Sequence, residues 1–206
     1  MDLSGITAGF ALTGSFCTFS AVLPEIENLK LAGAKVLPIM SRMAAETDTR
    51  FGTAESFRRR IEAICDAEII TTVEKAEPIG PGKLLDILIV APCTGNTLAK
   101  IANGITDTAV TMAVKAHLRN ARPVLLAVST NDGLSGAAKN IGLLMNAKNI
   151  FFVPFGQDDP DRKPTSLVAD MKSIVPAAGA ALLKRQMQPM LVRRETEADL
   201  LPLRQT

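Results

Sequence analysis

The 206-residue chain reads as α/β: a single Rossmann-like three-layer domain with a parallel sheet flanked by helices. Three observations predict it. Short apolar runs alternate with amphipathic stretches along most of the length, the pattern of βαβ units. The run Ile87-Leu-Ile-Val-Ala91 is apolar throughout and partly β-branched, as expected of a strand covered on both faces. Several apolar runs are followed at once by small polar residues, at the strand ends where an open α/β sheet binds its ligands.

The elements follow in order. A strand near 6–12 leads into the turn Thr13-Gly14-Ser15-Phe16-Cys17-Thr18 and a helix near 19–32. A second strand near 35–40 ends at Ser41, and a helix follows near 54–66. Pro78, Gly80, Pro81 and Gly82 make 67–83 a loop rather than a central element. The third strand, 86–91, is expected to stop at Pro92, which has no N–H for the ladder. The chain then turns through Thr94, Gly95, Asn96 and Thr97 into helices near 94–103 and 107–119. A strand near 123–129 runs into Ser129-Thr130-Asn131-Asp132-Gly133 and a helix near 135–147. A fifth strand near 150–155 and a polar loop over 156–164 precede a last helix near 165–186. That helix carries Leu167, Val168, Met171, Ile174, Val175, Leu182 and Leu183, and Pro176 starts a new turn in it or kinks it. The domain therefore spans 1–186. Residues 187–206 form a C-terminal tail, either a disordered end or an arm onto a neighbouring protomer.

A chain of this size buries a substantial core. Its 47% apolar and 21% charged residues are ordinary for a globular protein, and a net charge of +2 gives no reason to invoke nucleic acid or an anionic membrane. No run approaches the length of a membrane-spanning helix. Cys17, Cys65 and Cys93 have no metal-ligand spacing and make no disulfide framework, so neither a metal site nor an oxidising compartment is expected. The chain opens almost directly on an apolar strand, without the features of a secretory signal, and a cytoplasmic location fits best.

Four polar turns on one sheet edge would make a continuous site: 13–18, Ser41, 92–97 and 129–133. Hydroxyls, an amide and free N–H groups at a helix start hold an anion or a polar heterocycle. Taken one at a time, each turn also reads as an ordinary cap or bend. No G-x-G-x-x-G follows the first strand and no Walker motif occurs, so a dinucleotide held in the usual manner is disfavoured. Cys93 reads as packing rather than as a nucleophile, Cys17 and Cys65 as structural, and Arg58-Arg59-Arg60 as a solvated helix face. The lone His117 has no partner in its neighbourhood and reads as a surface or packing residue.

The segment 91–107, APCTGNTLAKIANGITD, resembles the flavoprotein family that includes the homo-oligomeric flavin-containing cysteine decarboxylases and the flavin prenyltransferases. Arg50-Phe-Gly-Thr-Ala-Glu-Ser-Phe57, Thr13-Gly14-Ser15 and the Asn131 loop are similar to further family segments in the same order, over roughly 5–155. The resemblance implies non-covalent FMN in the crevice and a homo-oligomer. By carry-over, Gly14, Ser15 and Phe16 approach the cofactor and Ser41 bonds its phosphate or ribityl region. Thr94, Asn96 and Thr97 contact phosphate or flavin, while Ser129, Thr130 and Asn131 line the ring side.

Departures narrow the reading. The decarboxylases place an essential histidine in a Pro-His-Ile segment, and here that position is Pro78, which cannot do acid–base work. The prenyltransferases use tyrosine in their substrate site, and this chain has none. The turns 13–19, 38–41, 91–97 and 129–134 resemble a subfamily of endospore-forming bacteria that works during sporulation. It oxidises dihydrodipicolinate, or its hydrated precursor, to dipicolinate alongside a second polypeptide that carries the NAD(P) domain. The resemblance thus implies a small dicarboxylate substrate and a nicotinamide-binding partner, and it assigns no catalytic residue. Two alternatives stay open: a stand-alone FMN-dependent decarboxylase or prenyltransferase-like flavoprotein, and a cofactor-free assembly subunit.

Overall fold

In the computed structural model, which describes residues 1–192, strands and helices alternate as β1 (Thr7–Leu12), α1 (Phe19–Leu31), β2 (Lys35–Met40), α2 (Arg42–Glu46) and α3 (Ala54–Cys65). There follow α4 (Val73–Ala76), β3 (Ile87–Cys93), α5 (Gly95–Ala102), α6 (Ala109–Leu118), β4 (Val124–Thr130) and α7 (Ala138–Met145). The last elements are β5 (Ile150–Phe152), β6 (Phe155–Asp159), β7 (Lys163–Ala169) and α8 (Ile174–Leu182). Side-chain caps start the helices where the turns are hydroxyl-rich. Ser41 accepts from Ala44 N–H, Thr53 from Ser56, Thr94 from Thr97 and Thr108 from Thr111, each satisfying an otherwise orphaned amide.

The sheet order is β2-β1-β3-β4-β7-β6, with β5 also paired to β4. Strands β2, β1, β3, β4 and β5 run parallel, as the apolar runs predict. Chain direction across the sheet reverses between β1 and β3, so the loops after these two strands diverge and leave a crevice. Helices α1 and α8 pack together, while α6 packs against α4 and α5, which touches α7. The five residues after Asp86 and their neighbours Phe10, Leu125 and Val128 are fully buried or nearly so. Gly9 on β1 permits this density: a Cβ there would lie 2.5 Å from a Leu85 methyl.

Several elements differ from the sequence reading. The sheet is mixed, because β6 and β7 form an antiparallel hairpin and β7 pairs antiparallel with the upper end of β4. The strand expected at 150–155 is two short strands separated at Val153 and Pro154, and the 156–164 loop is largely the hairpin's first arm and turn. The helix expected from 165 begins only at Ile174. Ser166, Leu167, Val168 and Ala169 are buried on both faces of β7, so no period distinguishes them from a helical run. Pro176 then falls in the first turn of α8, where a missing N–H costs nothing. Strand β3 runs past Pro92 to Cys93, because the ladder to β4 shifts register between Val90 and Cys93 and asks no N–H of the proline. The 67–83 segment is a loop carrying the one-turn α4 and a 3₁₀ turn at Glu77–Ile79. Of the expected tail, Met190 and Val192 bond the backbone of Phe155, and 193–206 lie outside the described residues. Among the described residues, no helix is long and apolar enough to cross a membrane.

His117 is a packing residue in α6, wholly buried, its Nε2–H donating to the Pro123 carbonyl at 3.1 Å while Nδ1 has no partner. Burial, aided by Arg122 and Lys184 and opposed by the Pro123 carbonyl and Asp86, drives its pKa from 6.5 down to about 4. The folded protein thus keeps this ring neutral, whereas the unfolded chain takes up a proton below pH 6.5. Its contribution is complete above that pH and fades as pH falls toward 4, by roughly 3 kcal/mol in all. Urea unfolding across this range should show a slope that His117→Gln flattens.

Thr13 closes the β1 end. Its Oγ1 donates to the Pro92 carbonyl at 2.7 Å and accepts from Thr94 N–H at 3.1 Å, and the residue is 1% exposed. Thr13→Val keeps the shape and strands both groups, so urea unfolding should show a loss of about 1–3 kcal/mol.

Candidate functional site

The crevice between the β1 and β3 loops is lined by turns that side-chain hydrogen bonds tie together. Thr13 joins the β1 loop to the 92–94 turn, and Ser15 Oγ lies 2.8 Å from Ser129 Oγ, joining it to the β4 end. Gly95 lets the third turn meet the fourth. A Cβ on it would lie 2.6 Å from Thr130 Oγ1 and 2.7 Å from Asp132 Oδ1, so only glycine admits these side chains to the start of α5. Thr130 Oγ1 in turn donates to Asp132 Oδ1.

Two adjoining cavities result. The first, about 810 Å³, is lined by Gly14, Ser15, Phe16, Ser129, Thr130 and Asn131 among the expected residues. The second, about 600 Å³, is lined by Ser41 and Thr97. Gly14, Thr94 and Asn96 line both and form the ridge between them. All ten expected residues therefore stand around one continuous hollow. Six of them also carry ordinary structural bonds: Ser41 and Thr94 as caps, Thr97 to Thr94, Ser15 and Ser129 to each other, and Thr130 to Asp132. The side-chain amides of Asn96 and Asn131 make no hydrogen bond within the described protein. Asn96 is exposed at the ridge. With Thr97 N–H bonded to Thr94 Oγ1, the N–H groups of Gly95 and Asn96 are left facing outward from the α5 start.

The charges divide unequally. The second cavity is lined by Arg42, Lys100 and Glu46, the first by Asp132, Asp158 and Lys163. Arg42 pairs with Glu46, Lys100 with Asp107, and Lys163 with Asp158. The second cavity is therefore the more cationic, and the partly positive start of α5 adds to it.

Sequence reasoning missed the contributions of the hairpin, Lys163, Ser166 and Val168, because it placed them in a loop and a helix. The Asp-Pro-Asp turn ahead of Lys163, with β-branched Thr165 and Val168 beyond it, was the available hairpin signal. It also missed Thr49 and Phe51, which border the first cavity although their segment was singled out. Pro78 stands exposed in its 3₁₀ turn and lines neither cavity. Arg58, Arg59 and Arg60 are exposed on α3, with Arg59 paired to Glu55.

The cysteines separate by environment. Cys93 and Cys65 are buried, and burial raises both thiols, Cys65 to about 11 and Cys93 further. Cys17 corrects the structural reading. It is exposed on the rim of the first cavity, 3.7 Å from Ser15 Oγ, because the residues after Ser15 form a 3₁₀ turn on the surface. A thiol reagent should therefore modify one cysteine per chain in the folded protein and all three in denaturant, with Cys17→Ser abolishing the first reaction.

Known proteins share this chain's sequence pattern and fold. The chain is 48% identical over 191 residues to the dipicolinate synthase B subunit of Bacillus subtilis (strain 168), covering 93% of this chain and 96% of that one. The crystal structure of the dipicolinate synthase B subunit from Bacillus halodurans superposes with a TM-score of 0.88 at 45% identity, over 95% of this chain and 100% of that one. An FMN-dependent cysteine decarboxylase, SpaF, shares the fold, with a TM-score of 0.61 at 23% identity over 88% of this chain and 98% of its own. The Flavoprotein family model matches residues 2–174, a span that holds every turn around the crevice, and the chain belongs to that family.

Proposed function

We propose that this chain is the flavin-binding B subunit of a dipicolinate synthase, acting with a nicotinamide-binding A subunit to oxidise dihydrodipicolinate or its hydrated precursor. The observation that carries the reading is the double hollow at the β1/β3 switch point, rimmed by unpaired amides and N–H groups and divided by charge. The likeness to two B subunits at 45% and 48% identity supports it and implies an A subunit.

The residues present fit FMN. The more cationic second cavity suits a phosphate, with the Ser41 and Thr97 hydroxyls and the Asn96 N–H as donors. The wider first cavity, lined by Phe16, Ser129, Thr130 and Asn131, would hold the ring. Bound there, FMN supplies a two-electron acceptor. The chain's own contribution is to orient ring and substrate and to exclude water. His117 lies buried in α6, so a proton leaving the substrate would pass to a carboxylate of the first cavity, Asp132 or Asp158. Pro78 at the histidine position, together with the absence of tyrosine, counts against a stand-alone decarboxylase or prenyltransferase.

Asn96 provides the cleanest test, because its amide supports nothing else in the fold. Asn96→Ala should leave the melting temperature unchanged and weaken FMN binding by about 1–2 kcal/mol, read by quenching of flavin fluorescence. Dipicolinate formation by each polypeptide on its own and by the mixture then tests the partnership. Full activity without the nicotinamide-binding partner, or no FMN binding by the unmodified chain, would sink the assignment.

A further inference from the structure

The hairpin brings one hydroxyl to the first cavity whose hydrogen bond the protein does not complete. Ser166 on β7 is 1% exposed and lines that cavity, and its Oγ has no partner. A buried hydroxyl left unpaired is destabilising and calls for a partner from outside the chain. Among the described residues one other buried side-chain atom is in this state, His117 Nδ1, and His117 lines neither cavity of the crevice.

The sheet register shows what Ser166 stands beside. Ser129 opposes Val168 and Thr130 opposes Leu167 across the antiparallel β4–β7 pair. One step further along this register sets Asn131 against Ser166. Two bonds hold the strands together there, from Thr165 Oγ1 to the Asn131 carbonyl at 2.7 Å and from Leu134 N–H to the Thr165 carbonyl at 2.9 Å. Cross-strand partners share a face, and Ser129, Asn131, Ser166 and Val168 all line the first cavity. The wall therefore offers a carboxamide, which both donates and accepts, next to a hydroxyl, which does the same.

Such a pair complements a planar heterocycle edge on which N–H and carbonyl groups alternate. It is a poorer match for a carboxylate, which only accepts, and the cavity's Asp132 and Asp158 against the single Lys163 disfavour a dianion at this wall. We propose that Ser166, together with Asn131, hydrogen-bonds the imide edge of the flavin ring, so that the hairpin is a wall of the cofactor site. This rests on the flavin reading above and assigns to it a residue outside the four turns.

The test is Ser166→Ala in the full chain, titrated with FMN and, separately, with dipicolinate. Three quantities are read: FMN affinity by fluorescence quenching, the visible absorption band of the bound flavin, and the melting temperature of the cofactor-free protein. Removing an unpaired buried hydroxyl should leave that melting temperature equal or higher. FMN binding should weaken about tenfold, the size of one lost ligand hydrogen bond. The bound flavin band should move toward that of free FMN. Asn131→Ala should move the same two flavin readouts in the same direction. Unchanged FMN affinity and band in Ser166→Ala, while the unmodified chain binds FMN, would overturn this assignment and leave the flavin reading standing. A loss confined to dipicolinate, or a lower melting temperature with unchanged FMN affinity, overturns it too. Failure of the unmodified chain to bind FMN removes the flavin reading itself.

Discussion

One side-chain oxygen sits where the two halves of the sheet part. Thr13 Oγ1 spends its proton on the Pro92 carbonyl and a lone pair on Thr94 N–H, bridging β1 to the β3–α5 turn at the point where strand order reverses. Loops diverge there by topology, and without a crosslink the crevice would be only a gap between two mobile turns. The Ser15–Ser129 hydrogen bond extends the same tie to β4, and Gly95 admits Thr130 and Asp132 to the α5 start. Each turn's position thus depends on its neighbours, and the hollow keeps its shape through bonds that need no ligand.

The same economy explains which polar groups are left over. Capping uses a lone pair of Ser41 and of Thr94, leaving the Ser41 O–H to donate, while Thr97 bonds Thr94, Thr130 bonds Asp132, and crosslinking takes the hydroxyls of Thr13, Ser15 and Ser129. What else remains facing the hollow is the Asn96 and Asn131 amides, the Ser166 hydroxyl and the first N–H groups of α5. Structural and ligand-facing roles therefore fall largely on different atoms of the same turns. Neutral donors complement the positive bias that Arg42 and Lys100 give the second cavity even while held in ion pairs with Glu46 and Asp107.

Sequence made the parallel half of the sheet legible because its strands are bounded by abrupt changes of chemistry. The apolar run ahead of Pro92 gives way within a few residues to Thr94, Gly95 and Asn96, and β4 gives way likewise to Thr130 and Asn131. All ten residues expected at the site border the hollow for that reason. The hairpin's second arm was hard to read for the opposite reason, its turn being the one signal of it. Ser166 through Ala169 are buried on both faces, so the alternation that marks a half-exposed strand is erased, and the leucine and valine spacing passes for a helix. Cys17 was misplaced because a 3₁₀ turn has no pattern in three residues to show which side faces solvent. His117 was read as surface or packing, and only tertiary contact decides between these: its ring closes over the Pro123 carbonyl six residues along the chain.

What the chain lacks bears on how the work is divided. Its one histidine is sealed in α6 and held neutral, its buried thiols are pushed away from ionisation, and the cations near the crevice are paired. Groups that bind outnumber groups that transfer protons. A site of this kind accelerates a reaction by orientation and by excluding water rather than by acid–base exchange. The proposed aromatisation of a dihydropyridine would suit it, because the driving force lies in the ring and the protein would have only to hold donor and acceptor in register. On the proposed function the electrons would still have to leave, and the chain has no glycine-rich dinucleotide turn after β1 through which to pass them to a nicotinamide. On the flavin reading, the open face of the first cavity, rimmed by exposed Cys17 and Phe51, is then where the nicotinamide-binding partner would have to approach.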